Sequence, residues 1–522
     1  MAEKLKIISL GGLNEIGKNI TVLEYGGDMI VVDCGLGFPE DDMYGVDLVV
    51  PDVTYLIKNQ QKLRGFFLTH GHEDHIGGLP YVLEQVNAPV HTTRLTAGLV
   101  QEFIHVNHSI ADAVAFAIHT PVGVVVMTGD FKIDSTPISG SIIDLARFGT
   151  LGNKGVLALL CDSTNVEREG FSPSERKVSR SFDSMFKGCD QRIIVTTFAS
   201  NVDRIQTVLN VAAKYGRKVA VTGRSMENIL KVSMELGYLD VPKNTLVDIN
   251  ATKSLPKEKT VIITTGSQGE NMSALYRMAF SGHRQVEIGP GDRVLISASA
   301  IPGNEKTISA VINELYRKGA EVVYDKLADL HVSGHACQEE LKIMHALLKP
   351  KFFIPVHGEQ RHLKRHARLA QEMGMDPKHI IVSDIGKVIE LTRNSCKITG
   401  TVPAGKMLVD GLGVGDVGSV VLRDRKHLAQ DGMIVVVVNL SSEDGSIISG
   451  PDIITRGCVY VKESGDLMEE LKEIATEAVE DCISQHITDW ATIKASIKSA
   501  LSNYLYKHTK RNPMILPVIM EI

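Results

Sequence analysis

His70-Gly71-His72-Glu73-Asp74-His75 is the stretch that decides how this chain is read. Three imidazoles and two carboxylates fall within one turn-sized segment, directly after Gly65-Phe66-Phe67-Leu68, an apolar run of strand length. Imidazole nitrogen and carboxylate oxygen are the donors a divalent cation such as zinc takes, and a catalytic site keeps one position open for water. Alternate residues point in different directions, so one such loop can face two cations. The competing reading is a solvated loop with accidental histidines. With 18 His among 522 residues, so dense a cluster marks a metal site instead.

At 522 residues the chain is too long for one core and implies two to four domains. Hydrophobic residues make up 43% and charged residues 23%, ordinary for a globular protein. The longest apolar run, Met433 to Val438, is far short of the roughly 20 residues that span a bilayer. The opening Met1-Ala2-Glu3-Lys4-Leu5-Lys6 lacks the apolar core of a secretion signal. Seven cysteines, at 34, 161, 189, 337, 396, 458 and 482, form no CxxC pair, so no thiolate zinc site or disulfide framework is indicated and a reducing cytoplasm is expected. The net charge of −6 argues against a bulk basic surface for nucleic acid. It leaves room for a nuclease that holds a phosphate backbone with metals and a few local Arg and Lys.

Working outward from the loop, the first 160 residues alternate short strands with Gly- and Asp-rich turns: Lys6 to Leu10, Ile20 to Tyr25, Met29 to Asp33. Such spacing predicts a sheet built from hairpins, and Gly11-Gly12 is not part of a dinucleotide fingerprint. From about residue 177, strands such as Arg192 to Thr197, Lys218 to Thr222, Thr260 to Thr265 and Arg293 to Ser297 alternate with helical spacing, which predicts a parallel α/β domain. Ala404 to Asp416 is Gly-rich and reads as a linker, and 435–522 reads as a small separate α/β domain.

Three further polar residues close apolar strands: His108 after Phe103 to Asn107, Asp130 after Val124 to Gly129, and His357 after Phe352 to Val356. Singly, each is more readily a satisfied structural residue than a ligand. Together with the HGHEDH loop they form a set. That set resembles the metallo-β-lactamase fold in its nucleic-acid-processing branch, the β-CASP nucleases, and is most similar to the bacterial ribonuclease J family. The resemblance extends through Gly11 to Asn19, Asn107-His108-Ser109-Ile110, Thr128-Gly129-Asp130-Phe131-Lys132, Cys161-Asp162-Ser163-Thr164-Asn165, His331-Val332-Ser333-Gly334-His335, Pro355-Val356-His357-Gly358-Glu359 and the closing Arg511 to Pro517.

The resemblance implies an αββα sandwich (1–177 and 346–403) with an inserted β-CASP domain (178–345), a linker (404–434) and a C-terminal domain (435–522). It implies one metal held by His70, His72 and His108, a second by Asp74, His75 and His357, and Asp130 bridging them. Zinc is favoured by the His-rich set, and manganese is compatible with shared carboxylates. Asp33 is expected to orient an imidazole, and Glu73 to be solvated. Asp74 is expected to bind metal and handle the nucleophile's proton, and His335, held in its tautomer by Asp162, to meet the scissile phosphate or the leaving 3′-oxygen. Ser333 and Gly334, with Thr197-Phe198-Ala199-Ser200-Asn201 and Arg224, are candidates for a 5′-monophosphate pocket.

The implied activity is 5′-to-3′ exonucleolytic and endonucleolytic cleavage of RNA in mRNA decay and rRNA processing. Single-stranded RNA is the implied partner, and a homodimer or homotetramer the implied assembly. A DNA-directed β-CASP nuclease, a small-molecule hydrolase of the same fold and an inactive scaffold are the alternatives. The intact ligand set disfavours the scaffold, and the large insert with His335 disfavours the small-molecule hydrolase. One departure from the family stands out. Only Ala97-Gly98-Leu99-Val100-Gln101-Glu102 joins Arg94-Leu95-Thr96 to Phe103-Ile104-His105, where the family carries a further helix and strand. Loss of a strand would disturb the sheet, so the connector reads as a sequence closed over missing residues.

Overall fold

The apolar N-terminal runs form antiparallel strands Leu5–Gly11, Ile20–Tyr25 and Asp28–Val32, joined by short turns as their spacing predicts. They lie within a seven-stranded sheet that Lys387–Leu391 and Cys396–Thr401 extend on one side, and Leu63–Phe67 and Val90–His91 on the other. The architecture is that of a computed structural model describing residues 4–522 except 41, 93–100, 139, 271–272, 301–303, 326, 443–444 and 459–464.

A second sheet, ordered Phe352–Val356, Val156–Asp162, Gly123–Met127, Val114–Thr120, Gln101–His105, faces the first across an apolar layer. Leu5, Leu23, Val32 and Phe67 from one sheet interdigitate there with Phe116, Val125, Leu160 and Ile354 from the other. Helices Leu145–Lys154, Gln338–Leu348 and Gln360–Glu372 cover the outer face of the second sheet, burying Phe148, Met344 and Leu369. Leu56 of Thr54–Lys58 and Val82 of Leu79–Leu83 cover the first. This is the expected αββα sandwich.

The inserted domain is a parallel sheet ordered Lys218–Thr222, Thr260–Thr264, Arg192–Thr196, Asp292–Ile296, Glu321–Val323. Helices such as Val202–Lys214 pack one face, and Ala274–Ala279 and Glu305–Arg317 the other. The boundaries expected at 177/178 and 345/346 fall inside helices Glu175–Phe186 and Gln338–Leu348. Burial explains both shifts: Val178 and Phe182 pack into the insert, Leu341 and Met344 into the sandwich.

The chain divides into two compact units, Met1–Gly37 with Val50–Met407, and Phe38–Val49 with Leu408–Ile522. In the second unit, strands Ile447–Arg456, Met433–Leu440 and Met514–Glu521 form a sheet whose inner face packs helices Gly465–Ser484 and Trp490–Thr509. The linker expected over 404–434 is instead folded: strand Lys406–Asp410 hairpins with Gly413–Val414, and helix Ser419–Asp431 follows. Its glycines serve turns, with Gly411 and Gly415 at φ of +57° and +78°. The connector expected at 97–102 lies largely outside the described residues. Strand Gln101–His105 pairs normally with Val114–Thr120. Among the described residues, no helix is long and apolar enough to cross a membrane.

Candidate metal centre

Strands of both sheets deliver polar residues to one place. Asp33 follows Asp28–Val32, the HGHEDH loop follows Leu63–Phe67, His108 follows Gln101–His105, Asp130 follows Gly123–Met127, and His357 follows Phe352–Val356. The loop is locked from behind: Asn19 N and Cys34 N donate to Asp74 O and His75 O at 2.9 and 2.7 Å. Gly35 permits this approach, since a Cβ there would stand 1.6 Å from Asp74 O. Asp33 and His357 adopt left-handed backbone, φ +62° and +54°, strain of the kind held at functional sites.

Three donor groups meet at the Asp130 carboxylate: one adds His70, His72 and His108, a second Asp74, His75 and His357, and a third Asp162, His335 and the same His357. In the first, His72 Nδ1 lies 3.0 Å from His70 Nε2 and 3.1 Å from His108 Nε2, and Asp130 Oδ2 lies 3.6 and 3.7 Å from the latter two. In the second, His75 Nε2 is 3.6 Å from Asp74 Oδ2 and 3.3 Å from Asp130 Oδ2. His357 Nε2 there is 3.4 Å from Asp74 Oδ2 and 3.5 Å from Asp130 Oδ1. Four ligands about 2.1 Å from a tetrahedral centre stand ~3.4 Å apart, so both clusters are the size a zinc-like ion requires. Asp130 Oδ1 is buried and accepts no hydrogen bond, a cost a cation would remove. The residues fit the group the sequence implied.

A further layer fixes four of the five imidazoles so that one nitrogen faces the cluster. His75 Nδ1–H donates to Asp33 Oδ2 at 2.8 Å, as expected for Asp33. Thr69 Oγ1 takes His70 Nδ1–H at 2.9 Å while its own hydroxyl turns to Asp33. His108 Nδ1–H donates to Gly334 O at 2.8 Å, and a Cβ on Gly334 would meet that ring at 2.7 Å. His357 Nδ1–H donates to Thr164 Oγ1 at 2.7 Å, and Thr164 donates to Asp162 Oδ1 at 2.8 Å.

Electrostatics divide the clusters. Burial drives His70 and His108 well below the usual imidazole range and His72 down to about 4, so the first cluster is three neutral rings with converging lone pairs. Burial also opposes charge on His75 and His357, but Asp130 and Asp74 outweigh it, raising His75 and lifting His357 to about 9. Burial would raise the Asp130 and Asp74 carboxyls, yet the facing imidazoles hold both well below the usual range. A divalent ion in the second cluster therefore displaces protons on binding.

His335 stands at the rim. Its Nδ1 is 2.8 Å from Asp162 Oδ2 and 3.9 Å from Asp130 Oδ2, and its side chain is 20% exposed. Burial would lower its pKa, but the Asp162 and Asp130 carboxylates raise it. Ser333 accepts from Asn165 Nδ2 at 2.7 Å. The other candidates lie at the C-terminal edge of the insert's sheet, outside the clusters. Asn201 is buried with Oδ1 capping Val202–Lys214 at Arg204 N, while Ser200 is half-buried and Arg224 exposed at the start of helix Arg224–Glu235. Sequence reasoning missed Thr69 and Thr164. It also missed Asn19, whose Nδ2 lies 3.1 Å from both His75 Nε2 and Asp74 O.

Comparison with known proteins shows the family. Residues 13–136 match the metallo-β-lactamase superfamily, 190–315 the ribonuclease J β-CASP domain, 320–383 the Zn-dependent metallo-hydrolase RNA specificity domain, and 420–522 the ribonuclease J C-terminal domain. Ribonuclease J2 of Bacillus subtilis is 42% identical over 550 residues, covering 100% of this chain and 99% of that protein. The chain belongs to the ribonuclease J family. Other family members align as fully: ribonuclease J of Thermus thermophilus at 41% identity over 99% of this chain and 96% of its own, and ribonuclease J 1 of Streptococcus pyogenes at 40% over 98% and 97%. The Bacillus alignment spans 550 residues against the 522 here, so the family member has positions this chain does not fill.

Proposed function

We propose that this chain is a two-cation ribonuclease that cleaves RNA phosphodiester bonds, 5′-to-3′ from a 5′-monophosphate end and also internally, in mRNA decay and rRNA maturation. The observation that carries the reading is that two of the donor groups meeting at Asp130 are tetrahedron-sized, and that its buried Oδ1 accepts no hydrogen bond. His70, His72 and His108 would hold one cation, Asp74, His75 and His357 the other, with Asp130 shared. Zinc suits the imidazole-rich sets. Bound cations there would supply Lewis acidity and a water of near-neutral pKa.

The chain's own groups do the rest. Asp74 is the most open carboxylate of the centre, with 26% side-chain exposure against 3% for Asp130, which suits it to orient an attacking water and take its proton. His335, with Nδ1–H committed to Asp162, leaves Nε2 free to face the scissile phosphate, and its raised pKa keeps a proton available for the leaving 3′-oxygen. Ser333 and Gly334 with Ser200, Asn201 and Arg224 would receive a 5′-phosphate, the Oδ1 of Asn201 also capping its helix. Exposed Ile454, Leu516, Val518 and Met520 on the C-terminal sheet support self-association.

Purified protein would be incubated with end-labelled 5′-monophosphate RNA, 5′-triphosphate RNA and matched single-stranded DNA, with and without chelator. Mononucleotide release from monophosphate RNA, abolished by chelator, is expected. Equal degradation of the DNA would overturn the RNA preference.

A further inference from the structure

Glu340 is fully buried, and no cation lies within ion-pair distance of it among the described residues. Its carboxylate instead receives three backbone N–H groups from three separate segments. Oε1 accepts from Ile133 N at 2.7 Å, and Oε2 from Ser172 N at 2.7 Å and Cys337 N at 2.8 Å.

Each donor belongs to a segment that carries a residue of the centre. Ile133 is three residues past Asp130, and its neighbour Lys132 donates through N to Asn107 O at 2.8 Å, beside His108. Ser172 lies on the loop that follows Asp162, and its hydroxyl donates to His335 O at 2.5 Å. Cys337 is two residues past His335. One carboxylate thus ties together the segments bearing Asp130, Asp162 and His335, two of them 207 and 168 residues distant in sequence.

The bland account is a capping box: Glu340 is the third residue of helix Gln338–Leu348, and its bond to Cys337 N closes that box. It explains one bond of three. Glutamine serves a capping box as well as glutamate does. It cannot serve here, because both oxygens accept and the amide nitrogen of glutamine would face a backbone donor whichever way it turned.

We propose that Glu340 is a positioning residue that sets His335 over the metal centre by anchoring the three segments to one point. The inference rests on the reading of His335 as the group that serves the leaving oxygen. Glu340→Gln is therefore expected to lower kcat on 5′-monophosphate RNA roughly 10- to 100-fold, as small misplacements of reacting groups do, with KM within about twofold and metal content unchanged. Asp144→Ala, which removes the cap accepting Arg147 N on helix Leu145–Lys154, is the comparison for mere destabilisation: Tm falls and kcat stays.

Hydrogen exchange provides a readout independent of catalysis. Glu340→Gln should release the amides of Ile133, Ser172 and Cys337 together. Faster exchange at Cys337 alone, or a lowered Tm with unchanged kcat, would reduce Glu340 to a helix cap and overturn the proposal. Loss of metal would place its effect on the ligands and overturn it too. Failure of the wild-type protein to cut RNA would instead sink the ribonuclease reading, leaving the exchange result to judge the anchor by itself.

Discussion

Asp162→Asn tests how the rim of the centre works. The Asp162 carboxylate accepts His335 Nδ1–H at 2.8 Å in a buried setting, and a hydrogen bond to a charged group there contributes about 1.5–3 kcal/mol. If that bond is needed to hold the imidazole in the transition state, its loss lowers kcat by roughly 10- to 150-fold. The pH profile should move with a definite sign. Burial works against charge on His335, and the Asp162 carboxylate is the largest influence raising it. Removing that carboxylate lowers the pKa, so a protonated His335 is lost sooner as pH rises and the alkaline limb shifts down. Asp162 also reaches His357 through Thr164, so metal content must be measured alongside. The decisive assay is a double-mutant cycle with His335→Gln under single-turnover conditions. Asp162→Asn should cost little in the His335→Gln background, because groups acting as a unit are not additive. An equal loss in both backgrounds with full metal content would refute the argument.

Other expectations reach further from the rim. Thr164→Val removes the partner of His357 Nδ1 and should weaken cation binding roughly 10- to 100-fold by calorimetric titration; unchanged affinity would deny Thr164 that role. Glu175→Ala strips the fully buried Arg204 of its carboxylate, 2.6 Å away, and should cost about 3–5 kcal/mol in urea unfolding of the insert, whereas a loss below 1 kcal/mol would contradict the pairing. Burial pushes His345 down to about 4 from an ordinary value near 6.5. The unfolded chain therefore takes up a proton the native one refuses, so this stability is full above pH 6.5 and falls by ~3 kcal/mol as pH drops to 4. His345→Leu should flatten that slope in chemical denaturation, and an unaltered slope would assign the acid sensitivity elsewhere.

Much of the centre is legible in the chain because ligand chemistry is local. The HGHEDH loop places four donors within six residues, and His108, Asp130 and His357 each interrupt an apolar strand. What escapes is what tertiary contact alone creates. Thr164 meets His357 across 193 positions and Glu340 meets Ile133 across 207, and a threonine or a helical glutamate advertises neither. Asn201 carries a task the sequence does not show: its Oδ1 caps helix Val202–Lys214 at Arg204 N. The glycines of Ala404 to Asp416 suggested a linker, yet positive φ at Gly411 and Gly415 makes them turn residues of a folded segment.

The central claim is that two cations share Asp130 in an RNA-cutting centre. Elemental analysis of metal per chain, with RNA cleavage followed on the same samples, tests it for the wild type and Asp130→Ala. Two equivalents and chelator-sensitive cleavage in the wild type, with loss of both metal and cleavage in Asp130→Ala, is the predicted result. Cleavage surviving in metal-stripped protein, or an Asp130→Ala variant that keeps two equivalents and cuts normally, would contradict it.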